Sequence, residues 1–454
     1  MAMTSDAPRV LEAKREWLER LVRERFTTEL VLDLSDEQWA LRIPHADGAV
    51  TIARNTTALR GTDPACARWD ASDEGFEAPL MSVLPAPGCP MVPHPLAQQR
   101  SDGWELGYDV LELAFWSLTR HEELGRTDLD DRDRFPAVAS HAFKHGYLDR
   151  PIVDEWLEIL GQTLLRQWPG LQLRTRRFAT QVSHDADNPS RYAFGGLKPL
   201  ARMLALDVVR RRDVGAAAKG VVLRARSRHS LQPNDPANTF DWIMEQSDQR
   251  GLTSAFHFLC GRTHPTLDAY YDPEDPRIRF LMRAIHDRGH EIGLHPSYGT
   301  YRAPDAVAAE FQRLRQVCME EGIAQSQWGG RMHYLRWDSA ATGRALNDAG
   351  LDYDNTLSYA DAPGFRSGTC IEYPAFDPVS NEPLRLRIRP LVAMEATVIA
   401  SRYLALGEGE QAFAKFAALK DACRSVRGTF SLLWHNTSLE TDRLKELYCQ
   451  VLDA

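Results

Sequence analysis

The chain has no long apolar run and no cysteine pattern, and each absence excludes a class of protein. No apolar segment among its 454 residues approaches the roughly 20 residues that a bilayer-spanning helix needs. The seven cysteines are an odd number, lie far apart and include no CxxC pair, which argues against a disulfide framework and against a thiolate zinc site. No repeat recurs at a fixed period, so a solenoid is not expected.

An excess of positive charge is also missing. The net charge is −9, whereas proteins that coat duplex nucleic acid are usually basic, so we expect no nucleic-acid partner. Residues 1–22 are a polar lead into a charged helix and lack the apolar core of a signal peptide. We therefore expect a cytoplasmic protein without a transmembrane segment. The oligomeric state is not predictable from these features.

The rhythm of strand-like and helix-like segments divides the chain into three parts. Residues 1–150 mix a helix, alternating strand-like stretches and a proline-rich span, and predict an α+β accessory region. Residues 151–175 hold a strong helix that we expect to bridge the two larger parts. In residues 176–454 strands alternate with helices six or seven times, which is typical of parallel strands wound with helices. Active sites in barrels of that kind lie at the strand ends.

Two acids follow the first strand of the alternating part. In "SHDADN", Asp185 and Asp187 are two residues apart and therefore lie on one face of an extended strand. Adjacent carboxylates repel each other, and a divalent cation removes the conflict by taking one as a ligand and leaving the other as a base. The alternative for this segment alone is a solvated loop that happens to carry two acids.

Histidines and an arginine follow two further strands. His290 and His295 in "GHEIGLH" are five residues apart, so they face opposite sides of a strand and cannot both bind one metal. His295 is the candidate because it stands at the strand end, and we expect His290 to be structural. In "GGRMHY", Arg331 and His333 share a face, where the arginine could hold a carboxylate and the histidine could complete a metal shell.

His435 ends the last hydrophobic strand, "SLLWHN". A lone histidine in such a place is usually structural. Here it stands at the end of a strand whose neighbours already predict a metal site, so we expect a catalytic role.

In this order the motifs resemble those of the polysaccharide deacetylases, the carbohydrate esterase family 4 or NodB-homology group. "SHDADN" resembles their first motif, "GHEIGLH" the run into their metal-histidine motif, "GGRMHY" their arginine motif and "LLWHN" their closing leucine–histidine motif. The resemblance covers about residues 176–453. It implies a distorted (β/α)7 barrel in which Asp185 is the base, Asp187 binds metal and His435 is the general acid. Residues 30–150 are similar to an accessory N-terminal region of some members.

The chain departs from that family at one metal ligand. The family has a second metal histidine four residues after the first, and this chain has Gly299 there. We expect His333 to replace it, which makes Asp187, His295 and His333 the ligands of a divalent metal. Zinc is expected because it accepts nitrogen and oxygen ligands and keeps an open position for water. The alternatives are a ligand from elsewhere in the chain or a site that has lost its metal.

These features predict a metal-dependent deacylase that removes the N-acetyl group of an amino sugar in a cytoplasmic glycan precursor or glycoside. In this interpretation Asp185 takes a proton from water, Arg331 keeps Asp185 ionised and His435 protonates the leaving amine. Two alternatives stay open. One is hydrolysis of another amide, such as a formamide or a ring amide. The other is a non-catalytic carbohydrate-binding protein on a degenerate barrel, which the missing histidine favours.

Two charged segments remain without a catalytic role. Residues 200–230 are strongly basic within an acidic chain, and predict either a solvated helical pair or a surface for an anionic substrate or an acidic lipid headgroup. A peripheral membrane contact is therefore a hypothesis. The acidic loop "RTDLDDRDRFPA" lacks the spacing of a calcium-binding loop, and we expect a solvated turn.

Overall fold

The computed structural model describes residues 7–35, 37–55, 58–209 and 212–454. The N-terminal part combines helices with two small sheets. Its elements are α1 (Ala7–Arg25), β1 (Val31–Leu34), β2 (Gln38–Arg42), β3 (Ala49–Ala53), β4 (Cys66–Asp70), β5 (Val83–Pro87), β6 (Ala97–Arg100), β7 (Gly103–Leu106), α2 (Val110–Leu118), α3 (His141–Lys144) and α4 (Ile152–Gln167). One sheet has the order β1-β2-β3-β7-β6, in which only β3 and β7 run parallel, and β4 pairs with β5.

The rest of the chain alternates strands with helices. Its elements are β8 (Ala179–Asp185), α5 (Leu197–Val209), α6 (Val214–Arg226), α7 (Phe240–Asp248), β9 (Ser254–Leu259), α8 (Pro276–Asp287), β10 (Glu291–His295), α9 (Pro304–Glu320), β11 (Gly329–Gly330), α10 (Thr342–Ala349), β12 (Tyr353–Asp354), β13 (Tyr373–Asp377), β14 (Glu382–Ile388), β15 (Ala393–Met394), α11 (Glu395–Ile399), α12 (Glu410–Ser425), β16 (Thr429–Leu433) and α13 (Asp442–Asp453). The predicted mixed α/β class is confirmed.

These strands form one curled sheet with the order β13-β14-β12-β11-β10-β9-β8-β16-β15. Every neighbouring pair is parallel except β13 and β14. The strands that cross the middle of the sheet are short, nearly continuous apolar runs such as "SAFHFL" and "TFSLL", because a parallel sheet is covered on both faces. Their carboxyl ends therefore meet on one side of the sheet.

One bent segment, residues 382–394, joins the two ends of this sheet. It contains β14, which pairs with β12, and β15, which pairs with β16. Between the two strands, Arg389 N donates to Asp354 O at 2.8 Å and Val392 N donates to Ser431 O at 3.1 Å. The segment thus hydrogen-bonds to β12 on one side and to β16 on the other. No strand was expected here, although Leu384, Leu386 and Ile388 alternate with arginines as in a half-buried strand.

The two parts of the chain share buried side chains. Trp17 of α1 packs edge-on against Phe115 of α2 and Phe376 of β13, and its Nε1 donates to Pro374 O at 3.1 Å. The helix predicted within residues 151–175 is α4, which packs against β3, β5 and β7. The predicted domain boundaries stay predictions.

A buried ion cluster also connects the two parts. The Glu123 carboxylate accepts hydrogen bonds from Arg120 Nε at 2.9 Å and from Arg366 Nε and Nη2 at 2.9 and 2.7 Å, and all three side chains are buried. Burial by itself raises the pKa of Glu123, but the two guanidinium groups outweigh it and lower the pKa to about 2. The carboxylate therefore stays ionised between two buried cations.

Replacing Glu123 with glutamine should lower the free energy of unfolding at neutral pH by about 3–5 kcal/mol, because it leaves the buried Arg366 guanidinium without its counter-charge and Arg120 with Glu122 alone. The folded pKa is about 2 and the unfolded value is 4.5, so the carboxylate stabilises the protein fully above pH 4.5 and loses this contribution as the pH falls toward 2. The difference between parent and E123Q should shrink over that window in urea unfolding curves. Glu12→Gln, at an exposed pair with Arg15, is the control and should have little effect. Equal destabilisation by the two variants would contradict the prediction.

Candidate metal centre and hydrolytic site

A cleft of about 230 Å³ opens where the parallel strands end. Five of the six residues expected from the sequence line it: Asp185, Asp187, His295, His333 and His435. The sixth, Arg331, is fully buried and bonds to Asp185. The structure thus brings all six candidates together, from four different strands or the loops that follow them.

Three of these side chains direct ligand atoms at one another. One ligand atom from each of Asp187, His295 and His333 lies within 4.8 Å of the other two. Asp187 Oδ1 is 3.3 Å from His295 Nε2 and 3.7 Å from His333 Nε2. Asp187 Oδ1 and His295 Nε2 are buried atoms without a hydrogen-bond partner among the described residues, although buried polar atoms are rarely left unpaired. Two imidazoles and one carboxylate are a donor set that suits a divalent cation such as zinc.

Hydrogen bonds on the far side of each ring orient the two histidines. His295 Nδ1 lies 2.5 Å from Arg331 O and His333 Nδ1 lies 2.8 Å from Asp268 Oδ1. A carbonyl or carboxylate oxygen accepts the Nδ1 proton, which leaves Nε2 of each ring to face Asp187 with its lone pair. Burial lowers the pKa of His295, but the nearby carboxylates of Asp185 and Asp187 outweigh it and raise the pKa overall. The site therefore favours a positive charge at Nε2, either a proton or a metal.

Arg331 and His333 are positioned by backbone pairing with β10 that continues beyond the end of β11. β11 ends at Gly330, but Arg331 N donates to Leu294 O at 3.0 Å and His333 N donates to Pro296 O at 3.2 Å. The pairing with β10 thus continues through both residues and keeps them on one face. Glycine is required just before them, because a Cβ on Gly329 would lie 1.9 Å from the ring of Tyr353.

Asp185 is held by two donors on one oxygen. Its Oδ1 accepts from Arg331 Nη1 at 2.8 Å and from His257 Nδ1 at 3.0 Å. Burial raises the pKa of Asp185, but Arg331 and, to a smaller extent, His295 and His257 outweigh it and hold the pKa well below its usual range. The second oxygen, Oδ2, is 3.8 Å from His295 Nε2. Asp185 is therefore an ionised carboxylate with one oxygen near the metal-ligand atoms.

His257 is a site residue that the sequence patterns missed. It lies within "SAFHFL" with apolar neighbours on both sides, and in the register of β8 and β9 it stands directly opposite Asp185. Burial lowers the pKa of His257 to about 4, so the ring is neutral and its Nδ1 proton goes to Asp185. A Cβ on Gly293 would lie 2.3 Å from the His257 ring, so only glycine fits beside it.

His435 is held by a second residue that the sequence patterns missed, Glu395. His435 Nδ1 lies 2.8 Å from Glu395 Oε1, which also accepts from Ser438 Oγ at 2.8 Å. Burial lowers the pKa of His435, but the buried Glu395 carboxylate outweighs it and raises the pKa to about 10. His435 Nε2 faces Asp187 Oδ2 at 3.8 Å. His435 is thus a protonated imidazole at neutral pH, and Glu395 follows directly after the unpredicted strand β15.

The N-terminal part supplies one wall of the cleft. Arg134 lines it and donates from Nη1 to Tyr334 O at 3.0 Å. Arg336 donates to Asp133 Oδ2 at 2.8 Å and to Arg132 O at 2.9 Å. The solvated turn expected for the acidic loop describes only part of it: Asp128 and Asp131 are exposed, whereas Arg134 is buried and Asp133 is bound by Arg336, which is distant in the sequence.

A second group of possible ligands lies in the N-terminal part, at Cys66, His141 and His145. Both ring nitrogens of His141 are already engaged, Nδ1 with Tyr147 Oη at 2.5 Å and Nε2 with Pro64 O at 2.9 Å. A metal ion would have to displace one of these bonds. The group is therefore a hydrogen-bonded part of the core, in contrast to the unpaired atoms of the cleft.

The amount of bound metal should depend on the side chains of Asp187, His295 and His333. Asp187→Ala and His295→Ala should each lose most bound metal, measured by mass spectrometry of protein purified without chelator, because each removes a ligand atom. His333→Ala should lose it as well. Asp268→Asn should weaken the affinity by about 10–100-fold, since it removes the group that orients His333. His145→Ala is the control and should keep the metal. Full occupancy in both Asp187→Ala and His295→Ala would exclude the site.

Comparisons with known proteins cover the chain only in part. Residues 50–169 match a family described as "Family of unknown function (DUF7033)". No curated protein sequence matches the chain significantly. None of the helices in the described part of the chain has the length and apolar character needed to cross a bilayer.

Several solved structures are distantly similar. One is assigned as a polysaccharide deacetylase from Mycobacterium smegmatis, with 15% identity, a TM-score of 0.40, and 62% of this chain and 84% of that chain covered. Another is assigned as a polysaccharide deacetylase from Pseudomonas aeruginosa PAO1, with 14% identity, a TM-score of 0.38, and 63% and 86% covered. A third is Puue allantoinase, with 12% identity, a TM-score of 0.36, and 63% and 85% covered. At these scores the likeness assigns neither a fold nor an activity, and the site has to be interpreted from its own geometry.

Proposed function

We propose that this protein is a metal-dependent amide hydrolase that removes the N-acetyl group of an amino sugar in a glycan precursor or glycoside. One observation carries the proposal. The converging ligand atoms of Asp187, His295 and His333 lie between an ionised carboxylate, Asp185, and a protonated imidazole, His435. Hydrolysis of an amide needs a proton acceptor for water, a proton donor for the amine and an electrophile between them.

Zinc is the metal that we propose for the three ligands. When bound, such an ion polarises the amide carbonyl and lowers the pKa of a water molecule, which makes the water a nucleophile near neutral pH. The residues of the chain do the remaining work. Asp185 Oδ2 accepts the proton of the attacking water, while Arg331 and His257 hold the carboxylate in place through Oδ1.

His435 supplies the proton for bond cleavage. As the water oxygen bonds to the carbonyl carbon and the C–N bond breaks, His435 Nε2 transfers its proton to the departing nitrogen. The products are a carboxylic acid and a free amine, and the proton taken by Asp185 restores His435 through solvent. Glu395 keeps the imidazole protonated and oriented before each cycle.

We also propose the barrel that the sequence motifs imply. Seven parallel strands would form it if residues 382–394 count as one strand between β12 and β16, and β13 would then be an extra edge strand. The proposed parts are an N-terminal accessory region of residues 1–150, a connecting helix within 151–175 and a distorted deacetylase-type barrel of residues 176–454. The hydrogen bonds of residues 389 and 392 support this count.

The alternative functions differ in what they require of the site. A carbohydrate-binding protein needs neither an ionised Asp185 nor a protonated His435, so the two held charges count against it. Another amide, such as a formamide or a ring amide, would use the same groups. Release of amine from acetylated and formylated amino sugars, and ring opening of a cyclic amide, distinguish these cases when measured on metal-loaded protein. No turnover of any amide would support the binding protein.

Asp185→Asn should retain the metal and lose about 10²–10⁴-fold in kcat, because an amide cannot accept the proton of water. Metal content and turnover are measured on the same preparation. Glu310→Gln is the matched control, since this buried acid binds Ser297 and does not line the cleft. Unchanged turnover in Asp185→Asn would show that the base is another group.

The loss caused by His435→Ala should depend on the leaving amine. With an ordinary alkyl amide the variant should be slower by about 10²–10⁴-fold, and with a nitroanilide the loss should be much smaller, because a good leaving group needs no proton. Glu395→Gln should show the same dependence to a smaller degree, since it acts through His435. Equal losses on the two amides would mean that His435 is structural.

A further inference from the structure

The basic segment forms a helical hairpin, α5–α6, whose inner side is firmly attached. Asp207 is buried and accepts hydrogen bonds from Arg191 Nη2 at 2.5 Å and from Tyr192 Oη at 2.9 Å. A Cβ on Gly220 would lie 2.7 Å from the Tyr192 ring, so α6 packs closely there. Arg224 donates to Gly195 O at 2.7 Å. The hairpin is therefore an ordered part of the fold.

The outer side of the hairpin is apolar. In α6 the exposed face is a stripe of small aliphatic residues at helical spacing: Val214, Ala218, Val221, Val222 and Ala225. In α5 the exposed face carries a second stripe: Leu197, Ala201, Ala205, Val208 and Val209. Leu197, Val209 and Val214 are 81%, 77% and 68% exposed. The apolar stripe of a helix in a soluble protein normally faces the core. The two exposed stripes of α5 and α6 therefore indicate contact with another surface.

Positive charge surrounds these stripes. Residues 197–228 contain nine lysines and arginines and two aspartates, in a chain whose net charge is −9. One of the two acids is the buried Asp207. Lys198, Arg202, Lys219 and Arg226 are exposed. Arg210 and Arg211, which belong to the basic run in the sequence, lie outside the described residues.

We propose that the α5–α6 hairpin lies on the surface of an anionic lipid bilayer. Helices that bind in the plane of a membrane combine an apolar face with lysines and arginines beside it, which contact acyl chains and anionic headgroups. A second copy of the chain is a poorer occupant, because a symmetric dimer through this face would bring the same positive charges together. One lipid surface would contact both features: the acyl chains would cover the aliphatic stripes, and the anionic headgroups would pair with the basic flanks.

The hairpin also lies near Asp187, one of the three proposed metal ligands. Pro199, Leu200 and Met203 of α5 line a narrow cleft that extends to Asp187 and is completed by Tyr270 and Tyr271. A membrane-bound hairpin would therefore present this cleft to molecules held in the bilayer. The substrate class that follows, an N-acylated head group carried on a lipid anchor, rests on the proposed function. The docking itself does not.

Binding to lipid vesicles tests the proposal. The full chain should sediment with vesicles of phosphatidylcholine and phosphatidylglycerol, should bind vesicles of phosphatidylcholine alone much less, and should be released by high salt. Lys198→Gln/Arg202→Gln/Lys219→Gln should bind the anionic vesicles at least about tenfold more weakly, because each cation near such a surface contributes about fivefold. Val214→Ser/Val221→Ser/Val222→Ser should bind at least tenfold more weakly as well.

Two variants outside the hairpin are the controls. Phe280→Ser/Met319→Ser removes equally exposed apolar side chains, and Arg42→Gln/Arg100→Gln/Arg443→Gln removes exposed cations. Both should bind like the parent. Circular dichroism and melting curves of every variant should match those of the parent, since all the changed side chains are exposed. Equal loss of binding in the controls and in the hairpin variants would overturn the proposal.

Docking and catalysis can be separated. Asp185→Asn should bind vesicles like the parent, so a failed hydrolysis assay leaves the docking result intact. The hairpin variants should keep full turnover of a water-soluble amide, so failed docking leaves the hydrolysis result intact. A parent chain that ignores anionic vesicles would overturn the proposal. So would a parent dimer that Val214→Ser/Val221→Ser/Val222→Ser converts to monomer without any vesicle binding, because the face would then be a protein interface.

Discussion

The guanidinium group of Arg331 is the constraint around which the site is built. It is fully buried, and a buried charge costs several kcal/mol unless hydrogen bonds and a counter-charge compensate it. Its partners are the Asp185 carboxylate, the Ser183 hydroxyl and both the side chain and the carbonyl of Asn355. These groups belong to β8 and to the segment after β12, so one side chain connects strands that lie on opposite sides of β11 in the sheet order.

The same residue also contacts the candidate metal centre through its backbone. Arg331 O accepts the Nδ1 proton of His295, which directs Nε2 of that ring toward Asp187. The side chain of Arg331 thus holds the proposed base, and its carbonyl orients a proposed metal ligand. This coupling explains why the pairing of residues 331 and 333 with β10 has to continue past Gly330. A shift of one residue would turn both side chains away from the cleft.

Each charged group of the site has a partner that is distant in the sequence. Asp185 is paired with Arg331 and His257, His333 with Asp268, and His435 with Glu395. Two of these partners also shift a pKa against the effect of burial: the Arg331 guanidinium holds the pKa of Asp185 well below its usual range, and the Glu395 carboxylate raises the pKa of His435 to about 10. The proposed amide hydrolysis requires an ionised base and a protonated acid that coexist in one small cleft.

The sequence pointed to six site residues because each has a local signal: Asp185, Asp187, His295, Arg331, His333 and His435. Two acids two residues apart, or a histidine at a strand end, are visible in a stretch of six residues. His257, Asp268 and Glu395 were missed because their roles arise only from contacts across the sheet. His257 is surrounded by apolar residues, which is the usual setting of a structural histidine. Residues 382–394 were missed as a strand although Leu384, Leu386 and Ile388 alternate with arginines and are buried, which is the pattern of a half-buried strand.

The N-terminal part also makes contacts with distant residues that its own sequence does not reveal. Its loop was expected to be a solvated turn because it is acidic and lacks a metal-binding spacing. In the fold, Arg134 of that loop donates to Tyr334 O, and Arg336, which follows β11, donates to Arg132 O and to Asp133 Oδ2. Glu123 is paired with Arg366, and Trp17 donates to Pro374 O.

Through these contacts the N-terminal part contributes to the packing and to the cleft of the rest of the chain. Without the N-terminal part, residues 176–454 would lose the carboxylate that pairs with Arg366 and would expose Phe376 of β13, against which Trp17 packs. They would also lose Arg134 from the wall of the cleft. The region that matches a family of unknown function, residues 50–169, includes both Glu123 and Arg134. Its physical contribution is thus to add Arg134 to the wall of the cleft and to supply the Glu123 carboxylate to Arg366, which bonds to no other acid in the described structure.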